Sequence, residues 1–115
     1  MRVIIAGSRD FNDYDFVVET IEMSGLNITT VVSGGARGVD ALGEQYAEEM
    51  NLPLKVYPAN WNEHGKSAGP IRNAKMAQNA DALIAIWDGE SRGTKNMIDT
   101  AHKRKLIVFV REVVL

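Results

Sequence analysis

The sequence contains no cysteine. That removes disulfides and thiolate metal sites, and it permits a reducing compartment without requiring one. No apolar stretch approaches the roughly 20 residues that a transmembrane helix needs. The apolar run in the opening "MRVIIAGSRD" is too short for a signal peptide and reads as a first strand. The expectation is a cytoplasmic chain with no membrane partner. Neither sign of charge prevails: a formal net charge of −2 supplies no global field for wrapping an extended nucleic acid, although it leaves room for a local basic patch. Internal repeats, linkers and low-complexity segments are absent as well.

What remains is an ordinary globular composition, 45% hydrophobic and 24% charged over 115 residues, which suits one domain spanning 1–115 around a single core. The pattern alternates. "RVIIA", residues 2–6, reads as a strand ended by Gly7, and Asn12 or Asp13 is placed to cap the helix that follows. Tyr14, Val17, Val18 and Ile21 recur at helical spacing, with Gly25 as the stop. The β-branched "NITTVVS" is a second strand. A second helix aligns Val39, Leu42, Tyr46 and Met50 on one face, and "LKVY" is a brief third strand. Residues 58–70 form a connector too long to be a mere link. Pro70 opens the third helix, "PIRNAKMAQNA"; "DALIAIW" is strand four, "TKNMIDTAHKRK" helix four and "LIVFV" strand five.

Strict alternation of strand and helix implies an α/β, Rossmann-like three-layer fold: a parallel five-stranded sheet, expected order 3-2-1-4-5, with helices on both faces. In such a sheet ligands bind beyond the carboxyl ends of the strands, near the switch point between strands one and four. The segments with unusual composition, Gly7-Ser8-Arg9, Ser33 to Asp40, Asn60 to Asn73 and Asp88 to Thr94, all fall at that edge. Their convergence points to a site.

In "SGGARGVD", Gly34 and Gly35 permit backbone angles closed to other residues, and Gly38 lets the helix begin close to the sheet. With Ser33, Ala36 and Arg37 the turn can cradle a phosphate at a helix N-terminus, Arg37 adding a guanidinium fork. It can equally be a plain tight turn with Asp40 favourable in the first helical turn; it matches neither a Walker A motif nor GxGxxG. Ser8 can donate a hydroxyl and Arg9 can reach a charged group. The long connector offers Asn60, Trp61, Asn62, Glu63, His64, Lys66 and Ser67, then Gly69, Arg72 and Asn73. Two roles stand for Trp61, stacking on a base or pinning the loop to the core. His64 lacks the partner spacing of a metal ligand, so it is weighed only as a general acid or base. Arg72 opens a helix where a cation gains nothing from the dipole, so a ligand is the expected reason for it. In "WDGESRGT", Thr94 can cap helix four and Gly93 permits close approach, with Gly89 and Ser91 as further ligand-binding candidates. Asp88 and Glu90 either accept ribose or base protons or face solvent. No metal and no cofactor is called for.

Together, "GSRDF", "SGGARGVDALGEQYA", "YPANWNEHGKSAGPIRNAKM" and "WDGESRGTKNMI" resemble the SLOG superfamily, and most closely its YspA-type (cpYpsA-related) family. The resemblance runs over essentially the whole chain. It implies a Rossmann-like sheet that binds nucleotides or nucleotide-derived ligands, in small proteins of bacteria and their phages, commonly paired as homodimers. Two related families suggest different activities. The LOG phosphoribohydrolases use an R-x-x-x-M and a G-T-x-x-E stretch; Arg72 and Met76 fit the first, whereas Met97 occupies the glutamate position of the second. The DprA proteins carry a similar glycine-rich turn and bind single-stranded DNA. The leading expectation is a binder of a small phosphorylated nucleotide derivative, serving as sensor or sequestering protein. The alternatives are an N-glycosidic hydrolase in which Arg72 works with Asp40, Glu63, His64 or Asp88, and a single-stranded DNA binder.

Overall fold

The computed structural model describes all residues 1–115. Five strands, β1 (Arg2–Gly7), β2 (Thr30–Ser33), β3 (Leu54–Val56), β4 (Ala82–Trp87) and β5 (Ile107–Glu112), form one sheet in the order β3-β2-β1-β4-β5. Every neighbouring pair is parallel, with Val3 opposite Val31 and Ala82, and Ile84 opposite Phe109. The expected order 3-2-1-4-5 and the α/β architecture are therefore what the chain forms.

Four main helices cover the two faces: α1 (Tyr14–Ser24), α2 (Val39–Glu49), α4 (Ala68–Gln78) and α5 (Arg92–Lys103), with a single turn, α3 (Trp61–His64), between α2 and α4. Side chains alternate along each strand, so the core divides in two. Val3, Ile5, Val31, Ile84 and Ile86 pack with Val17, Ile21, Val39 and Ala47 beneath α1 and α2. Ile4, Ala6, Val32, Leu83 and Ala85 pack with Met76, Ala77, Met97, Ile98 and Ala101 beneath α4 and α5. The central strands read as unbroken apolar runs because both of their faces are covered. β3, on the edge, is exposed throughout. No helix is long and apolar enough to cross a membrane.

Helix ends follow local chemistry. Asp13 caps α1 by accepting from the Phe16 amide at 3.1 Å, and Gly25 ends it in the left-handed region at φ 66°. Several boundaries differ from the sequence expectation: β2 is shorter than "NITTVVS", β5 runs on to Glu112, and α2 ends at Glu49, which leaves Met50 exposed outside its apolar face. Ser91, not Thr94, caps α5: its Oγ accepts from the Thr94 amide, and Thr94 lies buried inside the first turn. The third long helix begins at Ala68, which moves Arg72 from the helix opening into the second turn. Residues 58–70 are not an open connector either. Asn60 and Glu63 close a reciprocal cap, Asn60 Oδ1 accepting from the Glu63 amide at 3.1 Å and Asn60 Nδ2 donating to Glu63 Oε2 at 3.0 Å. The result is α3, followed by a 3-10 turn over Gly65–Ser67. That N-x-x-E spacing is a readable capping signal.

Candidate functional site

Parallel strands all deliver their following loops to one edge, so the segments after β1, β2, β3 and β4 meet there. The turn after β2 is built around its glycines. Gly35 and Gly38 have φ of 74° and 75°, a region L side chains rarely enter. A Cβ on Gly38 would collide with the carbonyl of Ser8, which itself accepts from the Val39 amide at 3.2 Å. Gly34 is buried because two side chains of the site lie against it: Arg72, and Asp40, whose Oδ2 would sit 2.9 Å from any added Cβ. Two turn amides are already taken, Gly35 by Ser33 Oγ at 3.1 Å and Ala36 by Asp40 Oδ2 at 3.3 Å. Those of Arg37 and Gly38 make no intramolecular hydrogen bond, and they sit at the start of α2, where an anion gains from the helix dipole.

Arg72 is the hub. Its Nη1 donates to the Gly34 carbonyl at 2.6 Å and its Nε to Asn73 Oδ1 at 2.9 Å. Asn73 is itself fixed, donating to Asn96 Oδ1 at 2.9 Å and to the Gly93 carbonyl at 3.3 Å. The α4 arginine is thus tied to the β2 turn and to the start of α5. Three cavities open around it, and Arg72 lines all of them. The largest, about 560 Å³, lies between β3, α3 and α4 and is lined by Tyr57, Asn60, Trp61, His64 and Lys75 among others. The middle one, about 280 Å³, lies over the glycine-rich turn with Arg9, Arg37 and Trp61. The smallest, about 60 Å³, lies beneath Arg72 between Gly7, Asp40, Asn73, Ser91, Gly93 and Thr94, over a floor that includes Ala6, Met76 and Met97.

Electrostatics distinguish these residues. Asp40 is 5% exposed, and burial pushes its carboxyl above the ordinary aspartate value; the Ala36 amide, the charge of Arg72 and the Gly7 amide oppose the shift without cancelling it. Burial also lowers Arg72, with the Asp40 charge opposing. Asp88 is shifted the other way, downward, by the amides of Ser91 and Glu90, which donate to its Oδ1 at 2.7 and 2.9 Å. The Ser8 hydroxyl is buried without a hydrogen-bond partner, near enough to Asp88 to contribute weakly to that shift.

The structure brings together most of the residues singled out in the sequence, although not all of them at the same cavity. Gly7, Arg9, Gly34, Gly35, Ala36, Arg37, Asp40, Asn73, Ser91, Gly93 and Thr94 surround Arg72 through the two smaller cavities. Arg37 also reaches out to Asp10, at 3.4 Å and well exposed. Trp61 spans the middle and large cavities at 51% exposure, and Gly69 lies beneath it, leaving 3.5 Å between a built Cβ and the indole. Asn60, Glu63 and His64 line the large cavity alone. Asp88 is folded back onto its own loop and Gly89 forms the turn at φ 80°, both away from the cavities. Ser33 works inside the turn, donating to Glu44 at 2.7 Å, and Lys66 is exposed on the 3-10 turn. Sequence reasoning missed Tyr57, Ile71 and Lys75 as lining residues. Lys75 was detectable, because it lies three residues after Arg72 on the same helix face.

A sequence model of the YspA, cpYpsA-related SLOG family matches residues 1–64. The Gene 61 protein of Mycobacterium phage D29 is 35% identical over 112 residues, covering 89% of each chain. Among solved structures, the X-ray structure of DNA processing protein A (DprA) from Streptococcus pneumoniae aligns with a TM-score of 0.77 over 95% of this chain at 17% identity, a likeness of fold. The chain spans 49% of the length of that protein.

Proposed function

The chain belongs to the YspA, cpYpsA-related SLOG family, and from that premise we propose that it binds a small phosphorylated nucleotide derivative at the carboxyl edge of the sheet, as a sensor or a sequestering protein. The observation that carries this reading is the meeting of three cavities at Arg72, beside unpaired turn amides at the start of α2. A phosphate over the turn would accept from the Arg37 and Gly38 amides and pair with Arg9, Arg37 and Arg72. Trp61 and Tyr57 give the large cavity the apolar planes a base requires, while Asn60 and His64 supply polar edges. The cations gather around one cavity instead of following a track, so a compact ligand suits them better than an extended nucleic acid.

One observation favours a second reading. Asp40 is a buried carboxylate with a raised pKa in a cleft beside an arginine, which is how a general acid or base is prepared. It would have to replace the carboxylate that LOG-type chemistry draws from the position of Met97, here 1% exposed in the core. Native mass spectrometry of the purified chain, followed by calorimetry with the ligand found, tests the binding reading. A bound species carrying both a phosphate and a base supports it. The absence of any nucleotide binding across mono-, di- and triphosphates, in a folded sample, overturns it.

A further inference from the structure

The cavity of about 60 Å³ beneath Arg72 contains an unusual pairing. Among its lining side chains are Asp40, a buried acceptor whose Oδ2 already takes the Ala36 amide, and Arg72, a donor, and the two lie side by side against Gly34. Arg9 also lines it and adds a second cation, whereas the other polar side chains are largely committed. Asn73 spends its amide on Gly93, Asn96 and Arg72, and Ser91 and Thr94 face one another at 3.1 Å between their hydroxyls. A phosphate in this space would meet Arg9 and Arg72 but also the buried Asp40 charge, whose repulsion is poorly screened. A hydroxyl suits both neighbours, since it donates to the carboxylate and accepts from the guanidinium.

The geometry around Arg72 adds a second constraint. A furanose sends its substituents in three directions: the base, the ring hydroxyls and the 5′-phosphate. Three cavities of unequal size share this single side chain. A sugar seated on Arg72 directs its phosphate over the glycine-rich turn and its base toward Trp61, and the small cavity beneath is left for the hydroxyls. We propose that the cavity between Asp40 and Arg72 is a hydroxyl-binding subsite that selects ribose over deoxyribose, with Asp40 as the residue that reads the sugar; this rests on the nucleotide reading above.

The test is calorimetry with the four ribonucleoside 5′-monophosphates and diphosphates beside their 2′-deoxy and 3′-deoxy counterparts, on wild type and Asp40→Asn. For whichever base binds, loss of at least one hydroxyl should weaken binding roughly tenfold or more, the usual cost of removing a hydrogen bond to a charged group. Asp40→Asn should reduce the ribose form toward the affinity of the deoxy form and leave the deoxy form nearly unchanged. A merely structural aspartate would weaken both equally, and that result overturns the subsite. So does equal binding of ribose and both deoxy forms by wild type, which leaves the nucleotide reading intact. No binding of any nucleotide overturns both. Thermal melting of the variant establishes that it is folded, and Asp40→Ser, which keeps a small hydroxylated side chain there, repeats the comparison if it is not.

Discussion

At the residue scale, Arg72 and Asp40 carry most of the consequence, in opposite senses. Arg72 is half-buried and already donates two hydrogen bonds inside the protein. Arg72→Ala is expected to weaken a phosphorylated ligand by about 1.5–3 kcal/mol, the range for hydrogen bonds to charged groups, and its nucleoside by clearly less. Calorimetry on the pair decides it: equal losses would place the arginine on the sugar or base alone. Asp40 is a cost to the fold. Its folded pKa stands above the unfolded value, so between the two values the native chain holds a proton that the unfolded chain has released. Stability therefore falls as pH rises through that interval and remains lower above it. Asp40→Asn, which cannot ionise, is expected to melt above wild type at neutral pH and to converge with it below the ordinary aspartate pKa. Parallel melting curves across pH would mean that Arg72 and the two amides fully compensate the buried charge.

At the element scale, turns with similar φ differ in how much they demand of glycine. Gly25 ends α1 at φ 66° with open space where a Cβ would stand. Gly25→Ala meets only the left-handed strain, on the order of 1 kcal/mol. Gly38 precedes α2 at φ 75° and ψ −131°, with the Ser8 and Arg9 backbone in the way of a Cβ. Gly38→Ala should therefore cost more than Gly25→Ala, at least about 2 kcal/mol, and should also disturb ligand binding because the β1 and β2 turns would have to part. Urea denaturation of both variants makes the comparison; equal costs would show that the β1 turn yields easily. The same close approach joins the glycine-rich turn to "GSR", although Ser8 and Gly38 stand 30 positions apart in the chain. Each fills the space the other leaves.

At the scale of the whole molecule, the small net charge hides a division. Helices α1 and α2 carry seven acidic residues and no lysine or arginine, whereas α4 and α5 carry five lysines and arginines against the single Asp99. The two smaller cavities open at the sheet edge, and the cations that reach them come from the loops and from α4. The reaction class belongs to this scale too, because catalysis needs the cavities, the charge and a proton carrier together. With Met97 in the core, nucleoside monophosphates should be bound and not cleaved at a useful rate. Chromatography for free base on wild type and Arg72→Ala checks this. Robust release by wild type, lost in the variant, would make the protein a hydrolase and Asp40 its first candidate acid or base.

The order of elements, the parallel sheet and the edge where the unusual loops meet were legible in the sequence. They follow from local pattern together with the handedness of strand-helix-strand crossovers, which leaves few ways to assemble such a chain. Asp13 and Gly25 announced the ends of α1, and the glycine-rich turn announced itself. What the sequence withheld was partnership. Nothing local indicates that Arg72 reaches the Gly34 carbonyl 38 residues away, or that Asp88 bonds its own loop while Asp40 faces a cavity. Two aspartates of identical chemistry acquire opposite pKa shifts, because one is surrounded by amides at the surface and the other is stripped of water. Helical and extended periodicity are properties of neighbours along the chain. Desolvation and charge pairing depend on which distant segments close over a group, and only the tertiary structure decides that.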